Sequence, residues 1–116
     1  MQRKFRLTRS TDFKRVRRTG KSYAHPFVVL VVQSNEVSRV RVGVTAGRSV
    51  GGAVQRNRAK RLLREAIRPM LQDLPPDWDL ILIARATLLT VSLQEIRQAL
   101  TGLLRRAQIV SQSYEG

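Results

Sequence analysis

The apolar positions of the chain fall into six groups, and their spacing switches between helical and extended periods. After nine mostly polar residues, in which Phe5 and Leu7 are the only large apolar side chains apart from Met1, Phe13 and Val16 stand three apart among polar neighbours. That is the spacing of one helical face. Ser10, Thr11 and Asp12 offer capping residues and a first-turn acid, Arg17 and Arg18 suit a last turn, and Gly20 suits the position just past the end. A short helix is predicted there. Residues 27–32 form an apolar run behind Pro26, which fixes where that strand can begin; Ser22 to Ala24 could add a short strand segment before the proline but are not counted as an element of their own. Val40, Val42 and Val44 alternate with Arg39, Arg41 and Gly43, the period of a strand with one buried face. The turn residues Ser34-Asn35-Glu36 lie between these two strands and predict an antiparallel hairpin.

The second half repeats the alternation. Gly47-Arg48-Ser49-Val50-Gly51-Gly52 reads as a flexible loop leading into a helix from 53 to about 70, with Pro69 near its end. Leu74-Pro75-Pro76-Asp77 is a second loop, and the unbroken apolar run 80–84 predicts a central strand covered on both faces. Ser92 and Glu95 have the spacing of a capping box. Leu93, Ile96, Leu100, Leu103, Leu104 and Ala107 then form the core stripe of a last helix ending near Gln108. The residues therefore read α-β-β-α-β-α in a single α+β domain, with a flexible basic arm over 1–9 and a disordered tail over 109–116.

Composition narrows the functions open to such a domain. The 116 residues are 42% apolar, enough for one self-sufficient core. No apolar run exceeds six residues, and no signal-length apolar stretch follows the basic start Met1-Gln2-Arg3-Lys4, so a soluble, cytoplasmic protein is expected. The absence of cysteine excludes a disulfide framework, a zinc–cysteine site and a thiol nucleophile. A single histidine argues against a serine triad or a multi-histidine metal site.

Charge adds most. The net charge is +14, with 22 Lys+Arg against 8 Asp+Glu. Residues 1–21 hold nine basic residues against Asp12, residues 48–68 hold seven against Glu65, and the remainder is balanced. Solubility alone would intersperse the signs; segregation points to a polyanion, nucleic acid before a membrane surface. Arginine dominates the basic residues, and its planar fork fits phosphate bidentately. On a helical wheel at about 100° per residue, Asn57, Lys60, Arg61, Arg64 and Arg68 share one stripe, while Ala59, Leu62, Leu63, Ala66, Ile67 and Met70 lie opposite. Arg56 and Arg58 flank the stripe in the first turn, near Arg48, where open helix amides already favour a phosphate. Such a ladder repels itself, with only Glu65 near enough to offset it. Two binding readings remain at this level: a non-catalytic RNA-binding protein such as a small ribosomal protein, or a DNA-binding protein. The last is disfavoured because Asn57 is the one amide in the stripe suited to reading bases.

Other candidate chemistry is sparse. His25 has no acid or nucleophile nearby and reads as a strand or surface residue. Asp77 and Asp79 share a strand face and could hold a hydrated magnesium ion, but a loop terminus with Trp78 packed inward is the simpler reading. Tyr23 is either partial core or a stacking platform. No general base is paired with a nucleophile, so no catalytic residue is assigned.

The stretch Gly51-Gly52-Ala53-Val54-Gln55-Arg56-Asn57-Arg58-Ala59-Lys60-Arg61-Leu62-Leu63-Arg64-Glu65 resembles the signature helix of the bacterial ribonuclease P protein family. The likeness extends to Arg6-Leu7, Asp12-Phe13, Val16, Gly20, Arg41-Val42-Gly43 and Ile83-Ala84-Arg85, nearly the whole chain apart from its last ten residues or so. The resemblance implies an α-β-β-β-α-β-α fold with a central, mostly antiparallel sheet and a basic crossover helix, like the second domain of a small-subunit ribosomal protein. The extra strand falls at 22–25. It also implies the function: an RNA-binding subunit that assists a catalytic RNA in removing the 5′ leader of precursor tRNA. Mg²⁺ would be held mainly by that RNA. The implied partners are the catalytic RNA and the leader, with neither DNA nor membrane.

Carried over by position, Arg48, Arg56, Asn57, Arg58, Lys60, Arg61, Arg64 and Arg68 would bind the catalytic RNA. Phe13, Val16, Arg17, Phe27, Val29 and Val31 would line the leader cleft, although Val28 and Leu30 are the alternative strand face. The chain departs from the family pattern at Arg17 and Val31, where many relatives carry aromatics, and at Gly52, where asparagine is usual. Stacking on those aromatics would contribute about 1–3 kcal/mol per base; here Arg17 would substitute by guanidinium stacking or a phosphate contact.

Overall fold

The computed structural model describes residues 5–109, and the N-terminal four residues and 110–116 lie outside it. The elements are α1 (Ser10–Thr19), β1 (Lys21–Ala24), β2 (Val28–Ser34), β3 (Arg41–Ala46), α2 (Ala53–Ile67), β4 (Trp78–Ala84) and α3 (Leu93–Arg106), with 3-10 turns at Arg48–Val50, Arg68–Asp73 and Ala86–Thr90. They form one four-stranded sheet in the order β1-β2-β4-β3. β2 pairs antiparallel with both β1 and β4, and β3 pairs parallel with β4. The α+β fold with a crossover helix is as the sequence implied, including the extra strand split off before Pro26.

One local expectation fails. β2 and β3 do not form a hairpin, because β4 inserts between them. Leu80, Ile81, Leu82 and Ala84 are all buried, so this strand gains most from a position paired on both edges and covered on both faces. The connection over 35–40 has the length to step across an inserted strand, which requires about 10 Å. The basic helix is also shorter than expected. It ends at Ile67, and Arg68–Asp73 continues as a 3-10 turn that takes Pro69 in its first positions. The capping box of α3 forms as the spacing predicted, with Glu95 N–H donating to Ser92 Oγ at 3.1 Å.

The sheet parts two cores. On one face α2 and α3 cover Val28, Leu30, Val32, Val42, Leu80 and Leu82 with Leu63, Ile67, Leu100 and Leu103. On the other, α1 covers Val31 and Ile81 with Val16, flanked by Phe13. Two glycines make this second packing possible. A Cβ on Gly43 would collide with the Phe13 ring, which rests on the strand there, and a Cβ on Gly20 would stand 2.5 Å from the Val16 carbonyl oxygen and 2.7 Å from that of Val32. Gly20 thus serves by close approach in an extended conformation, φ −77°, ψ 166°, not by a left-handed cap.

The expected free arm and tail are anchored where they are described. Leu7 is 3% exposed and Ile109 fully buried. Leu7 N–H donates to the Val42 carbonyl at 2.9 Å, and Arg6 forms an isolated parallel bridge with Val42, so the segment covers the outer edge of β3. An apolar side chain beside an open strand edge explains the docking.

α1 is also held by charge. Asp79 is fully buried. Its Oδ1 accepts from Arg41 Nε at 2.9 Å and Asn35 Nδ2 at 2.7 Å, and its Oδ2 accepts from Arg41 at 2.9 Å and from Arg15 of α1 at 2.5 Å. Asp12 adds weaker pairs to Arg15 at 3.6 Å and Arg41 at 3.5 Å. Burial pushes the Asp79 carboxyl up, but the hydrogen bonds from Arg41, Asn35 and Arg15 outweigh it and hold its pKa below the ordinary 3.8. Asp79→Asn should therefore lower stability by about 3 kcal/mol at neutral pH. A carboxylate with a depressed folded pKa contributes fully above its unfolded value and loses that contribution as pH falls through the lower folded value. Denaturant unfolding should thus show the wild-type advantage persisting to about pH 4 and shrinking below it.

Candidate nucleic-acid interface

α2 begins at Gly52, which supplies no side-chain cap, so the first-turn amides carry no internal side-chain acceptor. Arg48 sits exposed in the preceding 3-10 turn. Ala59, Leu63, Ala66 and Ile67 turn into the core, which leaves Asn57, Arg58 and Arg61 exposed and Arg56, Lys60 and Arg64 half-buried. Among the described residues, none of these five cations has an ion pair; the one acid on the helix, Glu65, is held by Arg68 at 2.5 Å. Arg68 is thus the one stripe residue already neutralised. The Asn57 amide takes no hydrogen bond within the described residues, so it faces solvent and is not folded back onto its own loop.

The two helices bearing excess charge lie on opposite faces of the sheet, and the register settles which strand face belongs to α1. Val29 and Val31 face α1 with Ile81 and Ile83, whereas Val28 and Leu30 face α2 and α3. Of the six leader residues expected from the resemblance, Phe13, Val16, Val29 and Val31 are brought together. Val16 and Val31, at 0% and 2% exposure, are sealed between helix and sheet and seat α1. The accessible members are Phe13, Arg17 and Val29. Phe27 is placed elsewhere: it precedes β2, packs against the larger core, and meets the His25 ring in a tilted contact with ring centres 4.8 Å apart. The chain turns over at Pro26, so the alternation of β2 does not extend back to it.

Beyond α1 the same sheet face stays partly open, through half-buried Val29, Ile83 and Thr45. Ile83 also lines a hollow of about 420 Å³ with Pro26, Ser49, Arg85 and Thr87. Sequence reasoning missed Ile83 and Thr45 as surface residues because β4 is apolar at every position from 80 to 84. Their signal appears only once Ile83 is registered against Val29 and Thr45.

The remaining candidates have internal work. Asp79 is saturated by arginines and Asn35, and Asp77 lends its backbone carbonyl to Asn35 N–H at 2.7 Å. The two therefore do not fit a magnesium ion, and Trp78 packs against the larger core as the simpler reading held. Among the described residues no cluster of His, Asp and Glu could hold a metal. His25 Nδ1 accepts from Phe27 N–H at 3.1 Å. Tyr23 is half-buried with the Arg106 guanidinium 5.8 Å from its ring centre, a partial-core role.

A family model described as Ribonuclease P matches residues 1–108. The chain belongs to the ribonuclease P protein family. It is 44% identical over 109 residues to the ribonuclease P protein component of Herpetosiphon aurantiacus, covering 94% of this chain and 89% of that one. It is 40% identical to that of Dehalococcoides mccartyi, covering 99% and 94%. Its fold is similar to the Staphylococcus aureus RNase P protein, with TM-score 0.81, 28% identity and coverage of 92% and 98%. It is also similar to the Thermotoga maritima RNase P protein, with TM-score 0.76, 30% identity and coverage of 87% and 96%. The chain is accordingly an RNA-binding subunit of a tRNA-processing endoribonuclease, and the alternative of a small ribosomal protein is not favoured.

Each unpaired cation that meets an RNA phosphate releases about one counterion. Arg61→Ala should therefore lower the slope of log affinity against log salt by about one unit for the catalytic RNA, with folding unchanged by circular dichroism. Arg68→Ala should lower it less, since Glu65 already engages that guanidinium.

Proposed function

We propose that this single domain binds the catalytic RNA of ribonuclease P through Arg48, Arg56, Asn57, Arg58, Lys60, Arg61 and Arg64, with Arg68 at the margin, and binds the 5′ leader of precursor tRNA along the sheet face beside α1. The observation that carries the reading is the ladder of unpaired cations on α2, set opposite a buried face and free of carboxylates except the one Arg68 engages. A polyanion relieves that repulsion, and an open Gly52 cap leaves amides for a phosphate.

The leader surface is chemically different. Val29 and Ile83 give an apolar floor, Thr45 a hydroxyl, and Phe13 and Arg17 the helix wall. An extended single strand suits such a strip, since sugars and bases lie on the floor while Arg17 meets a phosphate. With Val31 sealed under α1 and Arg17 in place of an aromatic, leader affinity rests on the single ring of Phe13 and on charge, so it should depend on leader presence more than on leader sequence.

The chemistry falls to the RNA in this reading. Among the described residues no group of His, Asp and Glu is placed to hold a metal ion; Asp79, Asp12 and Glu65 are each engaged by arginine and Glu95 caps α3. The Mg²⁺ of the holoenzyme is thus assigned to its RNA. Among the described residues no helix is long and apolar enough to cross a membrane, and a cytoplasmic location is part of the proposal. DNA is set aside as a partner because the stripe offers phosphate contacts and almost no base readout.

Reconstitution tests this directly. The protein alone should cleave nothing, and added to its cognate catalytic RNA at low magnesium it should restore precursor-tRNA cleavage; no stimulation at any magnesium concentration would refute the reading. In the assembled complex, precursor tRNA should bind more tightly than mature tRNA. Ile83→Asp, which sets a carboxylate in the path of the strand, should reduce that preference by about tenfold, ~1.4 kcal/mol.

A further inference from the structure

Three rows of side chains cross the α1 side of the sheet. The register sets Gln33, Asp79 and Arg41 in the first, Val31, Ile81 and Gly43 in the second, and Val29, Ile83 and Thr45 in the third. α1 lies along the middle row: Val16, its only buried residue, packs with Val31 and Ile81, and the Phe13 ring rests over Gly43. A helix seated on one side chain is free to roll about its own axis. At about 100° per residue, Phe13 and Arg17 project about 60° and 100° to one side of Val16, and Asp12, Thr19 and Arg15 about 40°, 60° and 100° to the other. The first pair overlooks the third row, the open strip. The second group meets the first row residue by residue. Asp12 pairs with Arg41 at 3.5 Å, Arg15 pairs with Asp79 at 2.5 Å, and Thr19 accepts from Gln33, which in turn accepts from Arg15. The Thr19 hydroxyl donates to the Arg15 carbonyl at 2.7 Å and closes the ring.

We propose that Arg15 is a positioning residue for leader binding: it fixes the roll of α1 against the Gln33–Asp79–Arg41 row and thereby the place of Phe13 and Arg17 over the strip on the other flank. This rests on the leader reading above and adds to it a residue that never touches the leader. A roll of about 20° would carry a side-chain tip about 2 Å on a helix about 10–12 Å across. Recognition tolerates misplacement of only about 0.5 Å. Arg15 suits the task because its fork spans two acceptors, Asp79 and Gln33, and so resists rotation as a point charge would not. It is also dispensable to the buried charge. Without it Asp79 keeps both contacts to Arg41 and the one to Asn35, so no uncompensated carboxylate is left in the core.

The test uses the full chain with Arg15→Met, which keeps the apolar stem and removes the fork, and with Gln33→Met, which breaks the same row without changing charge. Both should fold, with melting lowered by no more than about 5 °C. In the assembled complex Arg15→Met should cut the preference for precursor over mature tRNA about fivefold and Gln33→Met about twofold; the double variant should lose little more than Arg15→Met alone, because one roll is released. KM for precursor cleavage should rise by the same factor with kcat unchanged. A precursor whose leader is cut to one nucleotide is the control and should not respond, whereas a merely structural defect would affect both substrates. The chain has no cysteine, so spin labels at Arg18→Cys on α1 and Gln98→Cys on α3 report the helix directly. Their distance should be narrowly distributed with Arg15 present and broadened in Arg15→Met.

An unchanged tRNA preference in Arg15→Met overturns the proposal at any label distance. So does a lost preference at an unchanged label distance, or a salt slope for the catalytic RNA lowered by about one unit, since either makes Arg15 a direct RNA contact. Fully additive losses in the double variant, or a far larger fall in melting, would overturn it as well. If the wild-type complex binds precursor and mature tRNA equally, the leader reading itself fails; a wild-type preference that Arg15→Met retains sinks only the positioning role.

Discussion

Asp79 decides where the parts of this molecule sit. α1 offers the sheet only a narrow apolar face, chiefly Val16 and Phe13, and such a helix could slide along an apolar surface at little cost. A buried carboxylate held by Arg15 from α1, Arg41 from β3 and Asn35 from the connecting loop removes that freedom. Charge-assisted hydrogen bonds are directional, and each of these arginines is worth more against a buried partner than against a solvated one. The helix is thereby pinned over the Val31–Ile81 end of the sheet, and the Val29–Ile83–Thr45 end is left open. The position of the open strip follows from a polar cluster at the opposite end.

That cluster also corrects a simple view of charge. Nine basic residues in the first 21 suggest a uniformly cationic surface. Arg15 is spent internally, on Asp79 and Asp12, and Arg41, outside that segment, joins it. Among the described residues, what faces outward is Lys14, Arg17 and Arg18 on α1, Arg6 and Arg9 before it and Lys21 after it. Net charge by segment counts cations without regard to partners, so it overstates one surface. The α2 segment suffers less, because its only acid engages only Arg68.

Much of the fold was legible because local signals agreed. The Ser92–Glu95 box, the helical stripe of α3 and the doubly apolar run of β4 each specify one state, and each formed. Strand order was not legible: Ser34-Asn35-Glu36 is good turn chemistry, and it does make a turn, but adjacency in sequence cannot reveal that β4, more than forty residues on, competes for the same edge. Likewise the α2 stripe could be placed from periodicity alone, while the parity of β2 could not, because Val28 through Val32 are apolar on both faces. Phe27 shows the limit of extending a strand's alternation past a proline. Asp79 was seen as a loop terminus with a metal option; nothing local signals that Arg15, 64 residues away, will reach it.

The last constraint is topological. A crossover from β3 to β4 places α2 beside the β3 edge, and the anchored segment around Leu7 closes that edge from the other side. Two regions that are separate runs of charge in the sequence therefore approach each other across a single strand. Had β2 and β3 formed the hairpin, β3 would have been paired on both sides or turned away, and Leu7 would have had no free edge to join. The insertion of β4, driven by its own two-faced burial, is thus what lets an N-terminal arginine stand next to one on α2. The charge layout is a consequence of core packing in a strand that carries no positive charge of its own.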